Sequence, residues 1–478
     1  MNSVQRIAKN VGMSGISQIF TSLLVFVFLI YIARYFGEAG FGVFSFALSF
    51  SALFVVFADI GISQFVIREI ARDKNLTNEY ITNISIIKVL LSFLTFALII
   101  LFINLMHYPS NVVYLVYIFG IYAILTSFSQ FFMSIFQAFE KMEYVAFLTV
   151  IEKIIIVLFG FLVIFWGYGL DGLAYIYVLA GGINVIISFS LVLMKLSKPL
   201  PRINFLLWKT ITIKSIPFGL NTVASVLFFK IDTVLLSFMK DATAVGVYNA
   251  AYNPLLSFGT IVSTMVVSAI YPVMSRYFIS SRDSLETFTI LISKYMIIIG
   301  FPVAMGCFVL ANQFIELFYG SSYANSVIAF QILAIFIPIR LVSSITGTLL
   351  TSINKQGIRT FGVTLAALFN IFLNIALIPS LSYVGASIVT VLSEIFLYFL
   401  YIIFISNYFK KLRLYNLFIK PLIASLIMGI LVFYFREINL FLVTLFAILS
   451  YFIVLMVLRT FTKEDKFIFK QILGRFIN

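Results

Sequence analysis

Hydrophobic and polar positions along the chain segregate into long blocks rather than alternating over a few residues. About fourteen apolar runs can be read, near 15–33, 41–61, 82–104, 112–136, 145–166, 170–194, 215–238, 245–273, 288–312, 324–352, 360–379, 383–406, 421–435 and 439–458. Most are roughly 20 residues long, the length a helix needs to cross a hydrocarbon core of ~30 Å. The pattern predicts an all-α, polytopic membrane protein of about fourteen transmembrane helices.

The gaps between runs carry an independent signal. Of 32 Lys and Arg residues, 24 fall at the N-terminus, in every second gap or in the C-terminal tail; three (Arg34, Lys240 and Arg436) fall in the alternate gaps, and five (Lys88, Lys153, Lys230, Lys294 and Arg340) lie inside runs. Cationic loops resist translocation, so the basic gaps are predicted to be cytoplasmic, and both termini with them. A miscounted helix in the middle would scramble this alternation.

Composition narrows the function. The chain is 62% hydrophobic and 10% charged, too apolar for a soluble domain. Its net charge of +14 sits at membrane borders, where it suits anionic lipid headgroups. Nucleic acid is not an expected partner, since no soluble basic domain exists to bind it. A single cysteine, Cys307, allows no intrachain disulfide, and the single histidine, His107, has no acidic or thiol cluster around it, so neither a metal nor a cofactor is expected. The first run reaches Arg34 without a small-residue cleavage site and is expected to remain as an uncleaved span. Gly167-Tyr-Gly169-Leu-Asp-Gly172 fits a dinucleotide fingerprint only as letters, because no strand precedes it; it reads as a tight turn. Asn75-Leu-Thr77 is a glycosylation triplet by pattern, but it falls in a cytoplasmic gap. No Gly-x4-Gly-Lys-Ser/Thr loop occurs, so ATP hydrolysis is not expected, and no catalytic residues are assigned.

The outward gaps hold at most about a dozen residues, too few for the extracytoplasmic active site of a membrane glycosyltransferase or polymerase. The basic stretch Lys195–Lys214, with Pro199 and Pro201, divides the chain. On either side lie matching segments: Phe41-Gly-Val-Phe-Ser-Phe-Ala-Leu-Ser49 with Val245-Gly-Val-Tyr-Asn-Ala-Ala-Tyr-Asn253, and Gly169-Leu-Asp-Gly-Leu-Ala174 with Ser382-Tyr-Val-Gly-Ala-Ser387. The offsets are 204 residues (41 to 245) and 213 residues (169 to 382), which implies a parallel repeat related by an axis along the membrane normal. The expected organisation is a six-helix lobe over 1–194, a cytoplasmic linker over 195–214 and a second six-helix lobe over 215–406. Residues 407–478 add two extra helices and a cytoplasmic tail.

Polar residues inside the runs fall at helical spacing. Arg340, Ser344, Thr348 and Thr351 share one face, as do Asn249, Asn253, Thr260 and Thr264, and Ser127, Gln130 and Ser134. Ser85, Lys88, Ser92 and Thr95 form a fourth stripe, while Asn221, Ser225 and Asp232 form a fifth with Lys230 roughly opposite. Such groups are costly in hydrocarbon unless they face a cavity or a partner, although Ser and Thr also satisfy themselves on their own helix. Arg340 lies near mid-depth, where its guanidinium either faces a cavity and binds an anion or forms a structural ion pair. Asp59, Asp232 and Glu394 are intramembrane acids that could carry a coupled proton or Na⁺, or pair with a neighbouring Lys or Arg. Glu152 and Lys153 project from different faces and are not assumed to pair.

The chain resembles Wzx-type polysaccharide or oligosaccharide-lipid flippases of the multidrug/oligosaccharidyl-lipid/polysaccharide exporter superfamily. The resemblance rests on Ala33-Arg34-Tyr-Phe-Gly37, Gly40-Phe-Gly42, Ala58-Asp59-Ile-Gly61 and Arg68-Glu69-Ile-Ala-Arg72. Lys230-Ile-Asp232, Val245-Gly-Val-Tyr-Asn-Ala-Ala-Tyr252 and Asn374-Ile-Ala-Leu-Ile-Pro379 followed by Gly385-Ala386 extend it through most of residues 1–406. It implies two lobes around a solvated cavity that opens alternately to each side, and a glycan on a polyprenyl phosphate or diphosphate as substrate. Beyond that glycan and the membrane lipids, it implies glycan-assembly enzymes as partners. On this reading Arg340, Arg34, Lys88 and Lys230 supply positive charge for the phosphate, and Asn249, Asn253, Gln130 and Ser344 line the cavity. A cation-coupled exporter of drugs or small molecules with the same fold is the alternative.

Overall fold

The computed structural model describes residues 3–196, 199–200, 202–461 and 465. Lys198, Pro201, Lys463, Lys466, Lys470 and Arg475 lie outside the described residues, as do the side chains of Arg6 and Lys9. The described residues form helices and no strand: α1 Ser3–Asp59, α2 Ile62–Arg72, α3 Thr77–Leu105, α4 Ser110–Ala138, α5 Met142–Phe165, α6 Gly169–Lys195, α7 Phe205–Met239, α8 Ala242–Ser280, α9 Arg282–Val309, α10 Ala311–Tyr319, α11 Ser326–Ala334, α12 Phe336–Ser352, α13 Gln356–Tyr408, α14 Ile419–Phe435 and α15 Leu440–Val457. A backbone in hydrocarbon must satisfy its own hydrogen bonds, and the helix does so within one segment.

Among the described residues, twelve segments are long and apolar enough to cross a membrane. Two of them, Gly12–Asp59 and Gln356–Tyr408, run 48 and 53 residues, more than twice the ~20 a bilayer requires. Each breaks at a residue with positive φ, Gly37 at 67° and Ser382 at 52°. At Gly37 the missing Cβ makes that conformation inexpensive. Dividing both helices turns twelve spans into fourteen, in line with the apolar runs. The run expected over 324–352 instead steps between α11 and α12 at Ile335, three residues before Pro338, whose ring removes the amide that would bond the preceding turn. Two short helices occupy gaps. The apolar face of α2 (Ile62, Phe65, Val66 and Ile70) is buried, and α10 buries Ala311, Ile315 and Tyr319.

The repeat inferred from the sequence has a physical counterpart where α1 meets α8. A Cβ built on Gly42 would lie 1.7 Å from the Ala242 carbonyl oxygen, and one on Gly246 would lie 1.9 Å from the Glu38 carbonyl oxygen. Glu38 precedes Gly42 by four residues as Ala242 precedes Gly246, so repeat-related backbones touch reciprocally. A second backbone contact joins Gly61 to α7, where a Cβ on Gly61 (φ 79°) would lie 2.3 Å from the Gly219 nitrogen. Only glycine permits these approaches. Beyond α13, Lys410 donates to Asp283 Oδ1 at 2.5 Å and Glu286 Oε2 at 2.9 Å, tying the start of α14's approach to α9. Its hydrogen bonds to Asp283 and Glu286 hold the ammonium pKa above the usual lysine value.

Candidate functional site

α12 sets out the site. Residues four apart on a helix fall on one face, and Arg340, Ser344 and Thr348 line one cavity of about 330 Å³. Ser225 and Phe229 of α7, Ser263 and Thr264 of α8, and Arg359 and Tyr401 of α13 complete its walls. This cavity draws only on residues 225–401, not on both halves of the chain, because the polar stripe and its cations belong to α12 and α13.

Arg340 both faces the cavity and holds an acidic partner. Its Nη1 lies 3.7 Å from Glu394 Oε1, and its guanidinium carbon lies 4.7 Å from the Phe229 ring centroid. Gly259 lies against its stem, where a Cβ would sit 3.5 Å from Arg340 Cγ, an ordinary van der Waals distance. Glu394 is fully buried, and Ser343 Oγ donates to its Oε1. Arg340 Nε and Glu394 Oε2 are buried with no hydrogen-bond partner among the described residues. Nearby, Ser344 Oγ donates to Leu341 O at 2.7 Å and Thr348 Oγ1 to Ser344 O at 2.7 Å. Each hydroxyl proton is used within the helix, which leaves oxygen lone pairs to accept from a ligand.

Arg359 falls in the basic gap between the runs 324–352 and 360–379, yet it lines the same cavity. Its Nη1 donates to Thr351 Oγ1 at 3.2 Å. The sequence carries one signal for it: Thr351, which ends the α12 stripe, precedes Arg359 by only eight residues.

Other expected cavity cations are engaged elsewhere. Lys88 is fully buried, with its Nζ 2.8 Å from Asp59 Oδ1, 3.1 Å from Ala58 O and 2.7 Å from Ser127 Oγ. It neither snorkels nor faces this cavity; a buried ammonium requires a carboxylate, and Asp59 supplies it. Arg34 is exposed and donates from Nε to Phe318 O at 2.7 Å and from Nη2 to Leu317 O at 2.6 Å. It caps the carbonyl end of α10, where a cation is favoured, and so joins α1 to α10 in place of the expected phosphate contact. Lys230 is half-buried, with no hydrogen bond or ion pair among the described residues, and does not line this cavity.

Of the amide candidates, Asn249 is buried and bonds Thr233 Oγ1 at 3.2 Å and Val245 O at 2.9 Å, which knits α7 to α8. It does not line this cavity, nor do the half-buried Asn253 and the exposed Gln130. Among the three acids, Asp59 pairs with Lys88 and Glu394 with Arg340, while Asp232 has no cation partner among the described residues. It is buried among neutral donors: Asn374 Nδ2 at 2.5 Å from Oδ1, with Thr390 Oγ1 at 3.0 Å and Tyr248 OH at 3.1 Å from Oδ2. The Asn374 side-chain oxygen Oδ1 beside it has no partner among the described residues. Glu152 does pair with its neighbour: Lys153 Nζ lies 2.7 Å and Tyr122 OH 2.8 Å from Oε1, and Asn184 Nδ2 lies 2.6 Å from Oε2. Long side chains reached around the helix where backbone projection alone suggested separation.

Comparison with known proteins adds family and fold. Residues 7–278 match the family described as polysaccharide biosynthesis protein. Among curated relatives, the chain is 26% identical over 251 residues to the probable low-salt glycan biosynthesis flippase Agl15 of Haloferax volcanii, covering 52% of each chain. It is 24% identical over 184 residues to the lipopolysaccharide biosynthesis protein WzxC of Escherichia coli, covering 38% of this chain and 33% of that one. The chain thus spans about half or less of the curated relatives it matches. Among solved structures it is similar to the lipid II flippase MurJ in an inward closed conformation, with a TM-score of 0.77, 17% identity and coverage of 93% and 98% of the two chains. An inward-facing multidrug resistance MATE family transporter gives a TM-score of 0.65 at 15% identity, covering 84% and 98%. At these identities the likenesses establish the fold.

Proposed function

Because this chain belongs to the polysaccharide biosynthesis protein family, we propose that it is a flippase carrying an oligosaccharide on a polyprenyl phosphate or diphosphate across the cell membrane. The observation that carries the reading is the cavity in which two guanidinium groups, Arg340 and Arg359, share walls with Ser225, Ser263, Ser344 and Thr348. Guanidinium matches the planar, bidentate recognition of phosphate, and the hydroxyl oxygens accept from sugar hydroxyls. The glycan head enters the cavity while the apolar tail stays in lipid.

The two lobes, 1–194 and 215–406, rock about the contacts at Gly42/Gly246 and Gly61/Gly219, exposing the cavity to one side and then the other. The charge alternation supports a cytoplasmic position for both termini. Asp232 is the acid best placed to carry a coupling ion, because Asp59 and Glu394 already hold cations. One charge moving through 100 mV is worth about 2.3 kcal/mol, enough to bias direction. Enzymes that assemble the glycan are the expected partners on either side of the step.

The alternative, a cation-coupled exporter of small molecules, has the fold likeness to a multidrug transporter in its favour. The cationic cavity weighs toward an anionic substrate. Depletion of the protein in its host separates the two: the flippase reading predicts lipid-linked oligosaccharide trapped on the cytoplasmic leaflet and loss of surface glycan. Unchanged glycan with heightened sensitivity to cationic drugs would support the exporter.

A further inference from the structure

The two arginines of the cavity are not electrically equivalent. Arg340 shares its charge with Glu394 at 3.7 Å. Arg359 has no acidic partner among the described residues; its Nη1 donates to the neutral Thr351 hydroxyl at 3.2 Å, and Tyr401 lines the same cavity beside it. It is also exposed, so no burial of its charge has to be offset by a carboxylate.

Its seat is built by the fold. A Cβ on Gly347 would lie 2.9 Å from a Tyr401 ring carbon and 3.4 Å from Arg359 Nε, and one on Gly362 would lie 3.2 Å from Tyr401. The bare backbone of α12 at Gly347 thus leaves space for the Tyr401 ring and the Arg359 side chain to lie against it. Gly347 follows Arg340 by seven residues, roughly 10 Å along the helix axis. Ser344, between them, and Thr348, just beyond Gly347, line the same cavity.

We infer that Arg359 supplies the net positive charge of this cavity and is the residue that captures the substrate's phosphate, before the head advances past Ser344 and Thr348 toward Arg340. The inference rests on the flippase reading for the identity of the substrate, and it specifies the ligand class at this position as a phosphate or diphosphate ester. By the alternation of charged gaps, Arg359 stands at the cytoplasmic end of its helix, the side from which a newly assembled lipid-linked glycan arrives. A guanidinium already bonded to Thr351 and seated beside Tyr401 offers its remaining donors to an incoming phosphate with little further ordering.

The test uses the full chain purified in detergent, with farnesyl diphosphate as probe and farnesol as its uncharged control. A lost charge-assisted hydrogen bond corresponds to roughly tenfold or more in affinity. Arg359→Gln should weaken farnesyl diphosphate binding by about that factor and leave farnesol unchanged, while Arg359→Lys should fall between. Glu394→Gln removes the carboxylate that offsets Arg340 and should strengthen diphosphate binding. Thermal unfolding of each variant separates lost binding from lost fold, and the graded response of Arg359→Lys provides the readout if Arg359→Gln is unstable. Wild-type affinity in a folded Arg359→Gln protein, or a Glu394→Gln loss as large as that of Arg359→Gln, would overturn the assignment. A wild-type chain that ignores farnesyl diphosphate yet transports a cationic dye would overturn the flippase reading itself, and this inference with it.

Discussion

Arg340 Nη1 stands 3.7 Å from Glu394 Oε1, one group on the cavity wall and the other fully buried behind it. Whether this arginine faces a cavity or forms an ion pair was open from the sequence, and the structure shows that it does both. Its pairing with Glu394 defines what each substitution removes.

Arg340→Ala leaves a buried carboxylate without its cation. Breaking a buried pair costs about 3–5 kcal/mol, reduced here because the Arg340 side chain retains 20% exposure. The expected result is a lower thermal midpoint and a lower yield of folded protein, with recovery in the Arg340→Ala/Glu394→Gln double variant. Arg340→Lys keeps the charge but loses the planar fork, so it should fold normally and bind a polyprenyl diphosphate less tightly than wild type. A stable Arg340→Ala protein with normal binding would remove this residue from both roles.

The α12 stripe was legible because a period of four residues survives in the sequence whatever the tertiary context. What it faced was not. Lys88 looked like a cavity cation until Asp59, 29 residues away, came within 2.8 Å of its ammonium. Arg34 finds its partners more than 280 residues along, at Leu317 and Phe318. Arg359 was hidden for the opposite reason: it belongs to a basic gap by position, and only the fold of α13 back over Gly347 brings it to the cavity. The spans were legible from apolar length and the charge alternation, whereas α2 and α10 were not, being too short to register against their neighbours.

The backbone contact at Gly42 and Gly246 predicts a second class of variant. A Cβ at Gly42 would fall 1.7 Å from the Ala242 oxygen, so Gly42→Leu must force α1 and α8 apart. Ser45, one turn further along α1, is buried. In a Cys307-free background, a cysteine at Ser45 should react with soluble maleimide several-fold faster when Gly42→Leu is present. Equal rates would mean that the two helices do not part here.

Asp232 carries the prediction about energy. Its carboxylate is held by Asn374, Thr390 and Tyr248 without a cation, so Asp232→Asn preserves the volume and removes the charge. Transport by this variant should lose its dependence on an imposed proton or Na⁺ gradient while the protein stays folded. Asp59→Asn, which strands the buried Lys88 ammonium, should instead destabilise. Gradient-driven transport by Asp232→Asn at the wild-type rate would exclude Asp232 from coupling.

Topology is open to direct measurement in a Cys307-free protein. A cysteine replacing His107 should react with an impermeant thiol reagent applied from outside, and one at Asn407 should not. The reverse pattern would invert the assignment of both termini.

The central claim is most directly tested in proteoliposomes that contain the purified chain and a fluorescent oligosaccharide on a polyprenyl diphosphate. Leaflet position is read by a reagent that attacks only exposed sugar. The account predicts head-group crossing well above that of protein-free vesicles, reduced by about tenfold or more in Arg359→Gln as a charged phosphate contact requires. Crossing no faster than in protein-free vesicles, together with transport of a soluble cationic compound by the same preparation, would contradict it.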